Sequence, residues 1–174
     1  DGRLAEGVTA KDLALAVIAR FGSAGGQGHA VEYAGSAVRA MSMEARFTLA
    51  NMATEFAAAA ACIGVDEVTL EWVRGRRFAP AGRAWDAAEA AWRALASHPD
   101  AAFERELSLD ASTVAPMVSW GTTPAESVAI DGAVPVGARR RALDYMGLSE
   151  AQPLAGLPVN AAFIGSCTNA RLED

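Results

Sequence analysis

Apolar positions recur at helical spacing soon after the chain begins. Leu13, Val17 and Phe21 lie four residues apart, Thr9 followed by Asp12 resembles a capping box, and Gly22 supplies a stop, which together predict a helix over 10–21. The stretch Gly22-Ser23-Ala24-Gly25-Gly26-Gln27-Gly28 predicts a flexible loop whose glycines take positive φ, followed by a short strand over 30–33. The alanine-, methionine- and leucine-rich run over 42–62 predicts one long helix. Asp66 is placed to cap a further helix through Trp72 to Arg74. Residues 84–95 are helical again, with Trp85 and Trp92 seven residues apart on one face, and His98-Pro99-Asp100 ends that segment.

The pattern then changes. Residues 104–109 alternate charged and apolar side chains and predict a weak edge strand, and 114–120 predicts a second strand broken by Pro116. A turn at Gly121-Thr122-Thr123-Pro124 leads into a loop-rich connection with Gly132, Pro135 and Gly137, then a helix over 138–146 that stops at Gly147. An apolar strand over 158–164 runs into Gly165-Ser166-Cys167-Thr168-Asn169, with a helix starting near Arg171. No internal repeat is present. Strands alternating with helices imply an α/β or α+β chain, and the shift in composition near residue 115 divides it into 1–115 and 116–174.

Composition narrows the class. With 174 residues, 52% of them hydrophobic and 21% charged, the chain has ample material for a packed core and is not intrinsically disordered. Its net charge of −6 excludes a basic nucleic-acid binder, and Arg139-Arg140-Arg141 reads as a solvated helix face. No run of about 18 apolar residues is present to span a membrane. The first residues carry no signal-peptide pattern, and Cys62 and Cys167 stand more than a hundred residues apart. A disulfide scaffold is therefore not indicated, and a reducing cytoplasm is the expected setting. The missing initiator Met and an end at Asp174, where a helix is beginning, suggest a piece of a longer chain.

Few residues carry chemistry on their own spacing. The glycine loop follows a helix rather than a strand and lacks a Lys-Ser/Thr pair, so it is not a phosphate loop. His29 and His98 have no second ligand at metal spacing, and Cys62 is expected to be a small buried hydrophobe. Glu44, Thr48, Asn51 and Glu55 share one helical face. That face is either the wet stripe of an amphipathic helix or the wall of a site, and spacing alone leaves both readings open. Cys167 stands where an apolar strand meets a helix start, a position at which α/β folds bind ligands and backbone N–H groups favour a thiolate.

The string FIGSCTNARLED over 163–174 resembles the cluster-binding signature of the aconitase superfamily. The stretches VTAKDLALAVIARFGSAGGQGHAVEYAG, SMEARFTLANMATE, VSWGTTP and ALDYMGL resemble the same family's hydro-lyase large subunits in the same order, so the likeness covers nearly the whole chain. The resemblance implies incomplete three-layer α/β/α domains. Residues 1–115 would form most of the second domain and 116–174 the opening of the third, cut after the first cluster cysteine. It implies a [4Fe–4S] cluster held by three cysteines, of which Cys167 matches the first, while the downstream Cys-x-x-Cys pair and an upstream Asp-Ser-His segment are absent here. It further implies that Asn51 and Glu55 lie near the cluster, the amide orienting it and the carboxylate meeting the hydroxyl that leaves and returns. The implied reaction interconverts 2-isopropylmalate and 3-isopropylmalate by dehydration and rehydration in leucine biosynthesis. A small subunit would carry the swivelling domain and the serine base. Rival readings are a homoaconitase- or aconitase-type hydro-lyase on a related hydroxy-polycarboxylate, or a non-catalytic binding module. Taken alone, these residues are expected to be inactive.

Overall fold

The computed structural model describes residues 1–166, 168 and 170–172. Helix α1 (Ala10–Phe21) begins at a complete capping box. Thr9 and Asp12 bond each other's backbone N–H, and Gly22 ends the helix at φ 86° while its N–H returns to the Ile18 carbonyl. Strand β1 (Ala30–Tyr33) follows, then a short helix α2 (Ser36–Arg39), helix α3 (Met43–Asn51) and strand β2 (Ala60–Ile63). β1 and β2 pair in parallel, Ala30 opposite Ala60 and Glu32 opposite Cys62, with the two helices as the crossover that a parallel pair needs.

The long helix expected over 42–62 is broken. After Asn51 the chain tightens into a 3₁₀ turn (Met52–Thr54), passes Ala57 at φ 62° and becomes β2. Alanine propensity is a weak prior, and tertiary packing overrides it here. Phe56, 2% exposed, is driven under the glycine loop, and its carbonyl accepts from the Gly26 N–H at 2.9 Å. A Cβ at Gly25 would collide with the Phe56 ring, and one at Gly26 would lie 3.0 Å from it. The two glycines are thus required for close approach, while positive φ is confined in this loop to Gly22 and Gly28. Ala59 N–H to the His29 carbonyl at 2.8 Å extends the same lacing into the β1–β2 pair.

Helix α4 (Glu67–Val73) is capped by Asp66 as expected, and α5 (Arg83–Arg93) sets Trp85 edge-on to Trp92 with ring centres 5.7 Å apart. Residues 104–109 form no strand; they cross the glycine loop as irregular chain, held by Arg105 to the Gly25 carbonyl and Glu104 to His29. Beyond a 3₁₀ turn (Ala111–Thr113), β3 (Met117–Ser119) pairs antiparallel with β4 (Ser127–Ala129), a strand the sequence pattern did not reveal. Met117 N–H donates to Asp12 Oδ1 at 2.7 Å, tying this hairpin to the start of α1. Helix α6 (Arg140–Met146) ends at a left-handed Gly147. Residues 158–164 form no strand, since no described strand lies beside them to complete a ladder, and the helix expected from Arg171 runs into residues outside those described.

One apolar cluster joins α1, α2, α3, Phe56 and Val114, and a second joins Trp120, Val134, Ala142 and Leu143. Mixed helices and a small parallel pair bear out the α/β reading of the fold.

Candidate functional site

Helix α3 is where the sequence concentrated its polar residues, and the structure separates them. Ser42 caps the helix through the Ala45 N–H. Glu44 is half-buried and accepts from Trp72 Nε1 at 3.3 Å. Thr48 is fully buried, and its hydroxyl has no hydrogen-bond partner among the described residues, so the face is not a uniform wet stripe. Asn51 and Glu55 bracket the 3₁₀ turn, whose Met52 and Ala53 point into the core at 8% and 2% exposure. Anchoring of the turn's middle leaves both flanking side chains exposed.

Asn51 is engaged. Its Nδ2 donates to Oγ1 of Thr168, across 117 residues of sequence. Thr168 is the residue after Cys167, which itself lies outside the described residues together with Asn169. The described part of this segment has its own local bonds: Thr168 N–H donates to Ser166 Oγ at 3.2 Å, and Arg171 Nη1 to the Thr168 carbonyl at 2.8 Å. The Arg171 guanidinium also lies over the Phe47 ring, 5.4 Å from its centre. Phe47, Thr168 and Arg171 were not singled out by sequence; the signal available was their place beside Asn51 and Cys167 in the two quoted strings.

Beneath this, α3 is fixed by a residue that sequence reasoning also missed. Arg46 is 3% exposed and makes a bidentate pair with Asp66, at 2.6 and 2.7 Å. It also donates to the carbonyls of Met41 and Arg39 and to the Thr69 hydroxyl. The hydrogen bonds from Arg46 hold the Asp66 carboxyl below its ordinary pKa, against the opposing effect of burial. One guanidinium thus locks α2, α3 and the cap of α4 together. The hairpin has a similar device in Glu126. Burial opposes its ionisation, but Arg139 and the N–H groups of Thr122 and Thr123 outweigh that and lower its pKa.

Other residues resolve as follows. Cys62 is exposed on β2 rather than buried, because the strand's outer face looks away from the core; partial burial and then the facing Glu32 carboxylate raise its thiol pKa. His29 lies 3.3 Å from the exposed Glu104 and His98 3.6 Å from Asp100, both surface pairs. No group of three or more metal-ligating side chains occurs among the described residues, and no described helix is long and apolar enough to cross a membrane.

Comparison with known proteins gives the chain its family. The model of the aconitase family (aconitate hydratase) matches residues 1–174. The 3-isopropylmalate dehydratase large subunit 1 of Bradyrhizobium diazoefficiens is 49% identical over 184 aligned positions, covering 100% of this chain and 39% of that protein. The 3-isopropylmalate dehydratase large subunit of Anaeromyxobacter dehalogenans is 50% identical, covering 100% of this chain and 38% of that protein. The chain therefore spans about two fifths of the length of the curated relatives it matches. It belongs to the aconitase family.

Proposed function

We propose that this chain acts as part of the large subunit of a hydro-lyase that interconverts 2-isopropylmalate and 3-isopropylmalate in leucine biosynthesis. The observation that carries the reading is the hydrogen bond from Asn51 to Thr168, which brings the Asn-Met-x-x-Glu turn against the residue that follows Cys167. Identity near one half with two relatives named as 3-isopropylmalate dehydratase large subunits supports the substrate assignment.

The residues present fit one leg of a [4Fe–4S] site. Cys167, next to Thr168 in the sequence, would supply that leg, since a cysteine sulfur is the ligand such clusters take. Two further thiolates from outside this chain are needed. When bound, such a cluster would supply Lewis-acid polarisation of the departing hydroxyl. The chain's own contribution is made at the 3₁₀ turn. Glu55, held exposed by the buried Met52 and Ala53, is free to exchange a proton with the substrate hydroxyl oxygen. Asn51 holds the cluster-side segment in place through its amide. The base for the carbon-bound proton would come from a small subunit carrying the swivelling domain. We divide the chain near residue 115 into most of a second aconitase-type domain and the opening of a third. The two apolar clusters support that division, although Met117 and Ala125 pack on the first. A cytoplasmic setting goes with the reading, since the exposed Cys62 thiol stays free in a reducing compartment.

The test uses the full-length large subunit with its small partner. Glu55→Gln should lower kcat for isopropylmalate by about a hundredfold or more with KM little changed. Turnover of citrate or homocitrate in preference to isopropylmalate would overturn the substrate, and full activity of the variant would remove Glu55 from the reaction. The 174-residue chain reconstituted alone with iron and sulfide should hold no stable [4Fe–4S] species.

A further inference from the structure

Helix α3 touches the segment after Cys167 at two points one helical turn apart. Asn51 bonds the Thr168 hydroxyl, and Phe47, four residues earlier, lies under the Arg171 guanidinium. Residues at i and i+4 share a helix face, so both contacts come from one side of α3. Arg171 closes the arrangement by donating to the Thr168 carbonyl at 2.8 Å. The Phe47 ring is itself fixed. It packs edge-on against Trp72 with centres 5.2 Å apart, and Trp72 is bonded to Glu44 and covered by the Arg76 guanidinium. The hydrogen bond to Thr168 fixes one point of the segment against α3, and Arg171, a planar cation that faces the ring and donates at once, adds a second three residues on.

We propose that Arg171 is a positioning residue. Clamped between Phe47 and the Thr168 carbonyl, it fixes the chain at 168 and 171 against α3 and so governs how long the iron–sulfur cluster of the proposed function is retained. The proposal rests on the cluster reading above. A lysine keeps a donor for the carbonyl but not the flat face for the ring, so the two functions of Arg171 are separable.

The experiment compares wild type, Arg171→Ala, Arg171→Lys and Phe47→Leu in the full-length large subunit with its partner. The readouts are iron and sulfide per protein after anaerobic purification, the decay of cluster absorbance on exposure to air, and thermal unfolding of the apo-protein. Arg171→Ala should lose its cluster several-fold faster than wild type while apo-protein unfolding stays unchanged. Arg171→Lys should recover part of the loss, and Phe47→Leu should resemble Arg171→Lys. If wild type holds a cluster and Arg171→Ala retains it equally long, the positioning role is overturned and the functional reading stands. Faster loss accompanied by an equal drop in apo-protein stability also overturns it, in favour of a general structural role. A wild-type holoenzyme with no cluster sinks both.

Discussion

Two apolar stretches of this chain have similar sequence character and opposite fates. Around 56–63, Phe56 is 2% exposed under the glycine loop, and the residues after it pair with β1. Around 158–164, Phe163 and Ile164 are 91% and 97% exposed, and no described strand pairs with them. Hydrophobicity sets the tendency of a segment, but a neighbour decides the outcome, because backbone N–H and C=O groups leave water only when a ladder receives them. The first stretch has that neighbour because Gly25 and Gly26 let the chain approach the Phe56 ring. Removing the ring tests this directly. Phe56→Ala should cost about 3–5 kcal/mol in urea unfolding of the chain, the range for deleting a buried aromatic side chain. A loss below about 1 kcal/mol would show that the glycine loop, rather than the ring, holds this region.

The same contrast explains what the sequence made legible. Elements with local signals were found at their places: the Thr9–Asp12 box and Gly22 around α1, Asp66 before α4, Gly147 after α6. Elements fixed by distant partners were not. The 42–62 helix fails because Phe56 prefers the glycine loop to another helical turn, and β4 is short and defined by its pairing with β3. Of the candidate site, Asn51 and Glu55 were legible through the family resemblance. The pairing of Asn51 with Thr168 spans 117 residues and has no local signature.

The Arg46–Asp66 pair extends the comparison from apolar to charged contacts, since it too is a distant partner that fixes α3. Asp66 lies below its ordinary pKa because Arg46 bonds its ionised form. A carboxyl with a depressed folded pKa stabilises the fold above its unfolded value of about 3.9, and the contribution is lost as pH falls through the folded value. Asp66→Asn should therefore cost about 2–4 kcal/mol near neutral pH, as it leaves a buried guanidinium without its counter-charge. The gap between wild type and variant should narrow as unfolding is measured from about pH 7 down to about pH 3. A gap constant over that range would mean that shape, not charge, holds the pair.

The smallest effect is expected at Phe163, and it discriminates most finely between the two stretches. Its side chain is 91% exposed, so Phe163→Ser removes almost no buried area. The change in unfolding free energy of the 174-residue chain should stay within about 0.5 kcal/mol. A loss above about 1 kcal/mol would place the ring in a core and erase the contrast with Phe56. The proposed function makes a second demand on the same residue. If the chain is part of a large subunit as proposed, a strand paired with 158–164 would bury the ring, and the substitution in that full-length protein should then cost more than about 1 kcal/mol. Equal, negligible effects in both settings would mean that apolar character at 158–164 serves no strand at all, and the presence or absence of a partner would no longer explain the contrast.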